Sequence, residues 1–301
     1  MYAASFSLQF IFDFLLPQYN SNCKSTTWHK IFKGKINTDI AIIGTSRAEA
    51  HYSPTIIQEK TGLRTYNLGM VGTPYSILKI RWESYFNRNK RPKIVIVDVD
   101  ESSFHNEKEL FDKFQYLPFL YTKEYQCFAQ KNDPDFYQEK YIPFYKYRGH
   151  ESRILQYIQD FKEPSTCGNS VNGYIEHDIH WYDRDFLRFQ EKLKEDEPQY
   201  DLKLYEQGLS VLKEIIKDCK KNNIKIYLVW SPLYHERYTH NKKNNVYIDN
   251  ILKEISTSED IEYLNFVDDS LSYHKKYFYN SSHMNKQGAS IFSEKIGDLI
   301  K

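Results

Sequence analysis

The sequence predicts an α/β domain in three layers, α/β/α, built on a five-stranded, mainly parallel sheet. From Thr38 onward, short β-branched runs alternate with stretches of helical period, the pattern of strands joined by crossover helices. The third of these runs, residues 94–99 (IVIVDV), is apolar almost throughout, as a strand covered on both faces has to be. With 301 residues, 41% of them hydrophobic, the chain is long enough for one large domain of this kind.

Ahead of that domain lies a run from Ser5 to Leu16 (SFSLQFIFDFLL) that is apolar and aromatic, interrupted by Asp13 and closed by Pro17, with no positively charged stretch before it. It is too short to span a bilayer. Residues 1–37 therefore read as an N-terminal segment that is either a packed amphipathic piece or the remnant of a longer membrane anchor.

The domain occupies residues 38–301. Residues 39–43 (DIAII) form its first strand, Gly44-Thr45-Ser46-Arg47 a turn, and a helix follows with Ser53 as N-cap, Pro54 at its first position and Gly62 at its end. Residues 63–68 (LRTYNL) make the second strand, which runs into Gly69-Met70-Val71-Gly72. Thr73 and Pro74 then open a helix carrying Leu78, Trp82 and Phe86 at i, i+4 and i+8. After the third strand comes a stretch over about 104–201 that is dense in Tyr, Phe and charge and lacks strand–helix periodicity; it reads as an insertion or lid over the working edge of the sheet. The pattern resumes with Leu204, Leu212, Ile215, Ile216 and Cys219 on one helical face. Residues 224–230 (IKIYLVW) are the fourth strand, Ile251, Leu252 and Ile255 mark a helix, and residues 261–266 (IEYLNF) are the fifth strand. The last helix, about 286–299, places Ala289, Phe292, Ile296 and Leu299 on one stripe.

Several function classes are set aside by composition. A net charge of +1 with no Lys/Arg block offers no electrostatic footprint for nucleic acid. Cys23, Cys127, Cys167 and Cys219 are widely spaced and form no zinc-type cluster; two disulfides are arithmetically allowed, and the compartment stays open. His177, Asp178 and His180 (HDIH) are metal-ligand types, but they sit inside the insertion and read as solvated loop residues. No metal and no cofactor is expected. Gly44-Thr45-Ser46-Arg47 lacks both G-x-G-x-x-G and a Walker lysine, which argues against a nucleotide fold. The 16% aromatic share goes either into the core or into a lining that stacks sugars or faces lipid.

In open parallel sheets, ligands bind outside the carboxyl ends of the strands. Thr45, Ser46 and Arg47 follow the first strand, Asn67 and Gly69 the second, Asp100 and Glu101 the third, Ser231, Tyr234 and His235 the fourth, and Asn280-Ser281-Ser282-His283 the fifth. Ser46 and His283 would thus converge on one edge from opposite ends of the chain, as a nucleophile and its base must. A serine hydroxyl needs an imidazole to take its proton, and the developing oxyanion needs fixed N–H donors, which glycines after the first two strands supply unobstructed. Taken singly, Gly-Thr-Ser is also an ordinary N-capping turn, and a lone histidine an ordinary structural residue.

Together these residues resemble the SGNH hydrolase superfamily, the GDSL esterases and lipases. Ile42-Ile43-Gly44-Thr45-Ser46-Arg47 looks like its nucleophile block, Asn67-Leu68-Gly69 like its second block, and Asn280-Ser281-Ser282-His283 before the last helix like its D-x-x-H block. The resemblance is strongest to the bacterial envelope-associated branch, whose members carry G-S/T-S-R and often an N-terminal membrane segment. It implies a flavodoxin-like strand order, Ser46 as nucleophile, His283 as base, the amides of Ser46 and Gly69 as oxyanion donors, and Asn67 near the substrate, while Arg47 either binds an anionic group of the substrate or pairs with a nearby carboxylate. It also implies serine-dependent ester hydrolysis or O-acyl transfer on an acylated carbohydrate or another cell-envelope acyl ester, an extracytoplasmic location, and membrane association through a missing or truncated anchor. The chain departs from the family twice. Asp98-Val99-Asp100-Glu101-Ser102 stands where a G-x-N-D block is expected, and Asn280 replaces the aspartate that orients the histidine, unless Asp268 or Asp269 reaches His283 instead. Those departures keep open a catalytically impaired binding or assembly protein on the same scaffold.

Overall fold

Ile40–Ile43 (β1), Thr65–Asn67 (β2), Ile94–Asp98 (β3), Lys225–Trp230 (β4) and Glu262–Asn265 (β5) form one sheet in the order β2-β1-β3-β4-β5, and every neighbouring pair is parallel. This is the expected flavodoxin-like order, and it reverses direction between β1 and β3. The coordinates are a computed structural model that describes residues 2–15, 23–73, 75–104, 113–115, 117–155, 170–195, 203 and 205–301. Leu16, Pro17, Pro74, Cys167 and Leu204 lie outside the described residues.

Helices follow in chain order as Tyr2–Leu15 (α1), Cys23–Phe32 (α2), Ser46–His51 (α3), Pro54–Thr61 (α4), Tyr75–Arg88 (α5), Lys123–Asn132 (α6), Phe136–Tyr141 (α7), Arg184–Glu195 (α8), Glu206–Lys221 (α9), His235–His240 (α10), Lys242–Glu259 (α11) and Lys286–Ile300 (α12). The chain divides into two units, one of Met1–Ile36, Ile80–Asn89 and Lys108–Ser170, the other of Asn37–Lys79, Lys90–Glu107 and Val171–Lys301. The expected insertion is thus shared between them, and it holds helices that its sequence did not announce.

In the sheet-bearing unit, period-2 alternation buries both faces of the strands. Ile40, Ile42, Ile94, Ile96, Tyr227 and Val229 pack in one cluster with Ile57 of α4 and Ala289, Phe292, Ile296 and Ile300 of α12. Their alternates Ala41, Ile43, Val95, Val97 and Leu228 are equally buried, on the face covered by the apolar stripes of α9 (Leu212, Ile215, Ile216, Cys219) and α11 (Ile248, Leu252, Ile255). Each such side chain withdrawn from water stabilises by about 1.5–3 kcal/mol. The α12 stripe needs one correction: Leu299 is 54% exposed, and Ile300, one full turn beyond Ile296, is the residue that packs inward. The start and stop of α4 follow their signals, with Ser53 as N-cap, Pro54 in the first turn and Gly62 left-handed at φ 70°. The stretch read as a turn after β1 is different, because Ser46 already begins helix α3.

The other unit is aromatic inside: Trp28, Trp82, Tyr85, Phe119, Tyr125, Phe136 and Tyr147 are all buried, and Phe32 stacks on Phe119 at 4.4 Å. Its α1 packs inward through Phe12, edge-on to Tyr147 at 5.0 Å, and through two polar side chains. Gln9 and Asp13 are buried, Asp13 on Lys146 Nζ at 2.6 Å and on the Tyr147 hydroxyl, whereas Leu8, Phe10, Ile11 and Phe14 are exposed. Among the described residues, no helix is long and apolar enough to cross a membrane.

Candidate active site

Ser46 owes its position to Gly44. At that residue φ is 151°, and a Cβ would sit 2.8 Å from Ala48 Cβ and 3.0 Å from Asp98 Cβ, so only glycine lets the chain turn from β1 into α3 this close to β3. The turn delivers Ser46 to the carboxyl ends of β1 and β3, the switch point of the sheet.

His283 comes from the turn before α12. Asn280 Oδ1 accepts the backbone N–H groups of Ser282 and His283, each at 2.9 Å, and lies 3.0 Å from His283 Nδ1. Two backbone donors identify the facing atom as the amide oxygen, so Nδ1 carries the imidazole proton and Nε2 is bare. Nε2 stands 2.7 Å from Ser46 Oγ and accepts its proton. Burial, reinforced by the charges of Arg47 and Arg237, lowers the imidazole to about 3, so His283 is neutral at physiological pH.

Asn280 therefore both closes the turn and orients the ring, and the expected alternatives do not reach it. Asp269 caps Leu271 and pairs with Lys295 at 2.6 Å, while Asp268 accepts the Tyr273 hydroxyl.

Beneath this pair lies a buried layer, of which the sequence reading missed His51. His51 Nε2 accepts the N–H of Met284 at 3.0 Å, which leaves the proton on Nδ1, donated to Ser231 Oγ at 2.9 Å. Arg47 donates to Ser231 Oγ at 3.0 Å, to the Ser231 carbonyl, and to Asp100 Oδ2 at 3.1 Å. Asp100 Oδ1 accepts from Ser102 Oγ, Ser103 Oγ and Ser103 N, each at 2.7 Å. Burial alone would raise Asp100, but the Arg47 charge and those donors hold it below the usual carboxylate range. Asp98, buried at the end of β3 and bonded to the Tyr52 hydroxyl at 2.6 Å, is pushed up to about 6 by desolvation against the pull of Arg47. Ser231 and Asp100 follow strands and were visible as such; nothing in the sequence marks His51.

Two expected substrate contacts are corrected. Asn67 is fully buried: its Nδ2 donates to the carbonyls of Ala48 and Tyr52 at 2.7 and 3.0 Å, and its Oδ1 accepts the Gly69 N–H at 2.8 Å. The Gly69 amide is accordingly engaged by Asn67, not held open as an oxyanion donor. Gly69 serves packing instead, since a Cβ there would meet Glu49 N at 2.4 Å and the Ala48 carbonyl carbon at 2.7 Å, both in α3. Of the two roles open to Arg47, the structure has the pairing with a nearby carboxylate, Asp100, together with Ser231. The His177 ring lies tilted against Tyr279 at 4.6 Å while Asp178 and His180 are exposed, and no metal-holding group occurs among the described residues.

A cavity of about 280 Å³ opens at the pair, lined by Ser46, Arg47, Glu101, Phe189, Arg237 and His283 among others. It joins a hydroxyl bonded to a neutral imidazole with the guanidinium of Arg237, an arrangement able to attack an acyl carbonyl and to hold an anion.

No family model and no curated protein matches the chain. Among solved structures it is similar to a candidate platelet activating factor from Streptococcus pneumonia (12% identity, 98% of this chain and 99% of that one, TM-score 0.47). It is also similar to a candidate lipolytic protein of the G-D-S-L family from Desulfitobacterium hafniense (10% identity, 86% and 98%, TM-score 0.42). A third is a GDSL-like lipase from Bacteroides thetaiotaomicron (11% identity, 87% and 86%, TM-score 0.40). At these values the likeness bears on neither chemistry nor substrate, which rest on the residues described above.

Proposed function

We propose that this chain is a serine-dependent ester hydrolase or O-acyltransferase of the SGNH kind. One observation carries the reading: Ser46 Oγ lies 2.7 Å from His283 Nε2 while Nδ1 is fixed by Asn280 at 3.0 Å. Ser46 attacks the acyl carbonyl as its proton passes to Nε2; the resulting imidazolium returns that proton to the leaving alkoxide, and water or a second hydroxyl then takes the acyl group from Ser46. The N–H of Ser46, first in α3 and without an acceptor inside the helix, supports the oxyanion. Asn280 offers no counter-charge to the imidazolium, and the neighbouring arginines oppose it, so turnover is slow. An acylated carbohydrate or another cell-envelope acyl ester is the substrate class that the resemblance of the motifs implies.

The test is labelling with a serine-directed fluorophosphonate and turnover of a short-chain aryl acetate, wild type against Ser46→Ala. Labelling and turnover confined to the wild type are expected. Neither signal in a folded wild type would favour the impaired binding or assembly protein, a reading to which Asn280 and the engaged Gly69 amide lend support.

The same proposal places α1 against lipid. The helix buries Gln9 and Asp13 and leaves the apolar side chains of Leu8, Phe10 and Ile11 more than half exposed, the composition of a face that meets lipid. Flotation with liposomes should carry the wild type and lose a Phe10→Ser/Ile11→Ser/Phe14→Ser variant; equal flotation of both would remove this contact.

A further inference from the structure

Arg237 and Arg47 line the same cavity, but their charges are held differently. Arg47 is in contact with Asp100 at 3.1 Å. Arg237, on α10, lies over the Phe189 ring with its guanidinium carbon 3.9 Å from the centroid and, among the described residues, donates to Ser281 Oγ at 3.3 Å. Stacking and that bond fix the plane of the guanidinium, whose five N–H donors are otherwise free of ion pairs among the described residues.

The two carboxylates that line the cavity have other partners. Asp100 is bonded to Arg47, Ser102 and Ser103, and Glu101 accepts from the Tyr205 hydroxyl and from Asn241 Nδ2, each at 3.0 Å. Burial pushes Arg237 down to about 10, with Asp100 and Glu101 pulling the other way, so the group stays charged at neutral pH. A fixed, stacked cation beside the reactive hydroxyl has an unmet need for a planar acceptor.

We infer that the ester substrate carries a carboxylate and that Arg237 binds it inside this cavity. The inference deepens the ester-hydrolase reading and rests on it. A singly charged carboxylate matches the fork of one guanidinium, whereas the nearby carboxylates of Asp100 and Glu101 disfavour a dianionic phosphate. Because Ser46 and Arg237 share about 280 Å³, the spacer between acyl carbonyl and carboxylate is short.

The experiment compares kcat/KM for 3-acetoxypropionate with that for its neutral amide, 3-acetoxypropanamide, in the wild type, Arg237→Gln and Arg237→Lys. In parallel, calorimetry measures binding of the non-hydrolysable N-acetyl-β-alanine and its amide to Ser46→Ala, alone and with Arg237→Gln. The wild type should prefer the carboxylate at least tenfold in both readouts, R237Q should bring the ratio to within about twofold of one, and R237K should keep part of it. Equal use of the two esters by the wild type, or a preference that survives in R237Q, overturns the inference and leaves the Ser46 chemistry standing. Arg237-dependent binding to Ser46→Ala, with no fluorophosphonate labelling and no turnover in the wild type, supports the carboxylate site and overturns the ester chemistry. Absence of both binding and turnover removes both.

Discussion

Asn280 Oδ1 lies 3.0 Å from His283 Nδ1 and also accepts two backbone N–H groups of the same turn, so a single uncharged oxygen shapes the loop and aims the imidazole. An aspartate can accept the same three bonds and adds the missing counter-charge. Asn280→Asp should raise kcat/KM for an aryl acetate at least tenfold, about 1.4 kcal/mol of transition-state stabilisation. An unchanged or lower rate in the folded variant would mean that the imidazolium of His283 is not formed in the rate-limiting step.

The pH profile follows from the same ring. His283 acts as base only when neutral, and burial together with Arg47 and Arg237 lowers it to about 3. Protonation therefore sets in far below the ordinary histidine range, and kcat/KM should stay level as pH falls from 8 to about 5. In Asn280→Asp the carboxylate favours the imidazolium, the inflection moves up toward neutrality, and activity is lost earlier on acidification. A wild-type inflection near the ordinary histidine value would contradict the desolvated site.

Arg47 and Asp100 are both about 5% exposed at the side chain, so truncating one strands the other. Arg47→Ala should destabilise the fold by about 3–5 kcal/mol in urea unfolding. Adding Asp100→Asn removes the stranded charge and should recover part of that loss. Strict additivity of the two substitutions would mean that the pair is not coupled.

His51 reaches the site through the backbone of Met284, the residue after His283. Replacing it with Phe leaves that buried N–H without an acceptor, a cost of about 1–3 kcal/mol. The expected signature is a lower kcat with little change in KM, since the imidazole is misplaced and the cavity is not. A pure loss of stability with kcat intact in the folded fraction would make His51 structural only.

Gly69→Ala tests the packing role that replaced the oxyanion role. Its Cβ would enter within 2.4 Å of Glu49 N, and α3 would have to move with Ser46 on it. Destabilisation of about 1–3 kcal/mol and a loss of turnover are expected. Normal stability with turnover intact would require more room between β2 and α3 than the structure has.

The strands were legible because a parallel strand covered on both faces needs an unbroken apolar run, and IVIVDV and IKIYLVW have few other uses. The α4 caps were legible because Pro54 and Gly62 act on their own backbone. Helix α3 was not, since six residues without a cap bond or a full apolar stripe look like a turn. Helices α6 and α7 were hidden by an aromatic, charged composition, whereas α8 carries a clear helical period, with Phe186, Phe189 and Leu193 three to four residues apart, that was open to reading.

The sequence by itself determined that Ser46 and His283 meet, because chain order in a parallel sheet sends both segments to the carboxyl edge whatever the details of packing. It equally determined that position 280 carries no charge. Only the tertiary structure decided that Arg47 pairs with Asp100 while Arg237 faces the cavity, that Asn67 binds backbone, and that His51 supports the site from below. The reason is physical: a strand's burial is written in its own residues, whereas the partner of a buried polar group is whichever donor or acceptor the fold brings within about 3 Å, often from a distant segment of the chain.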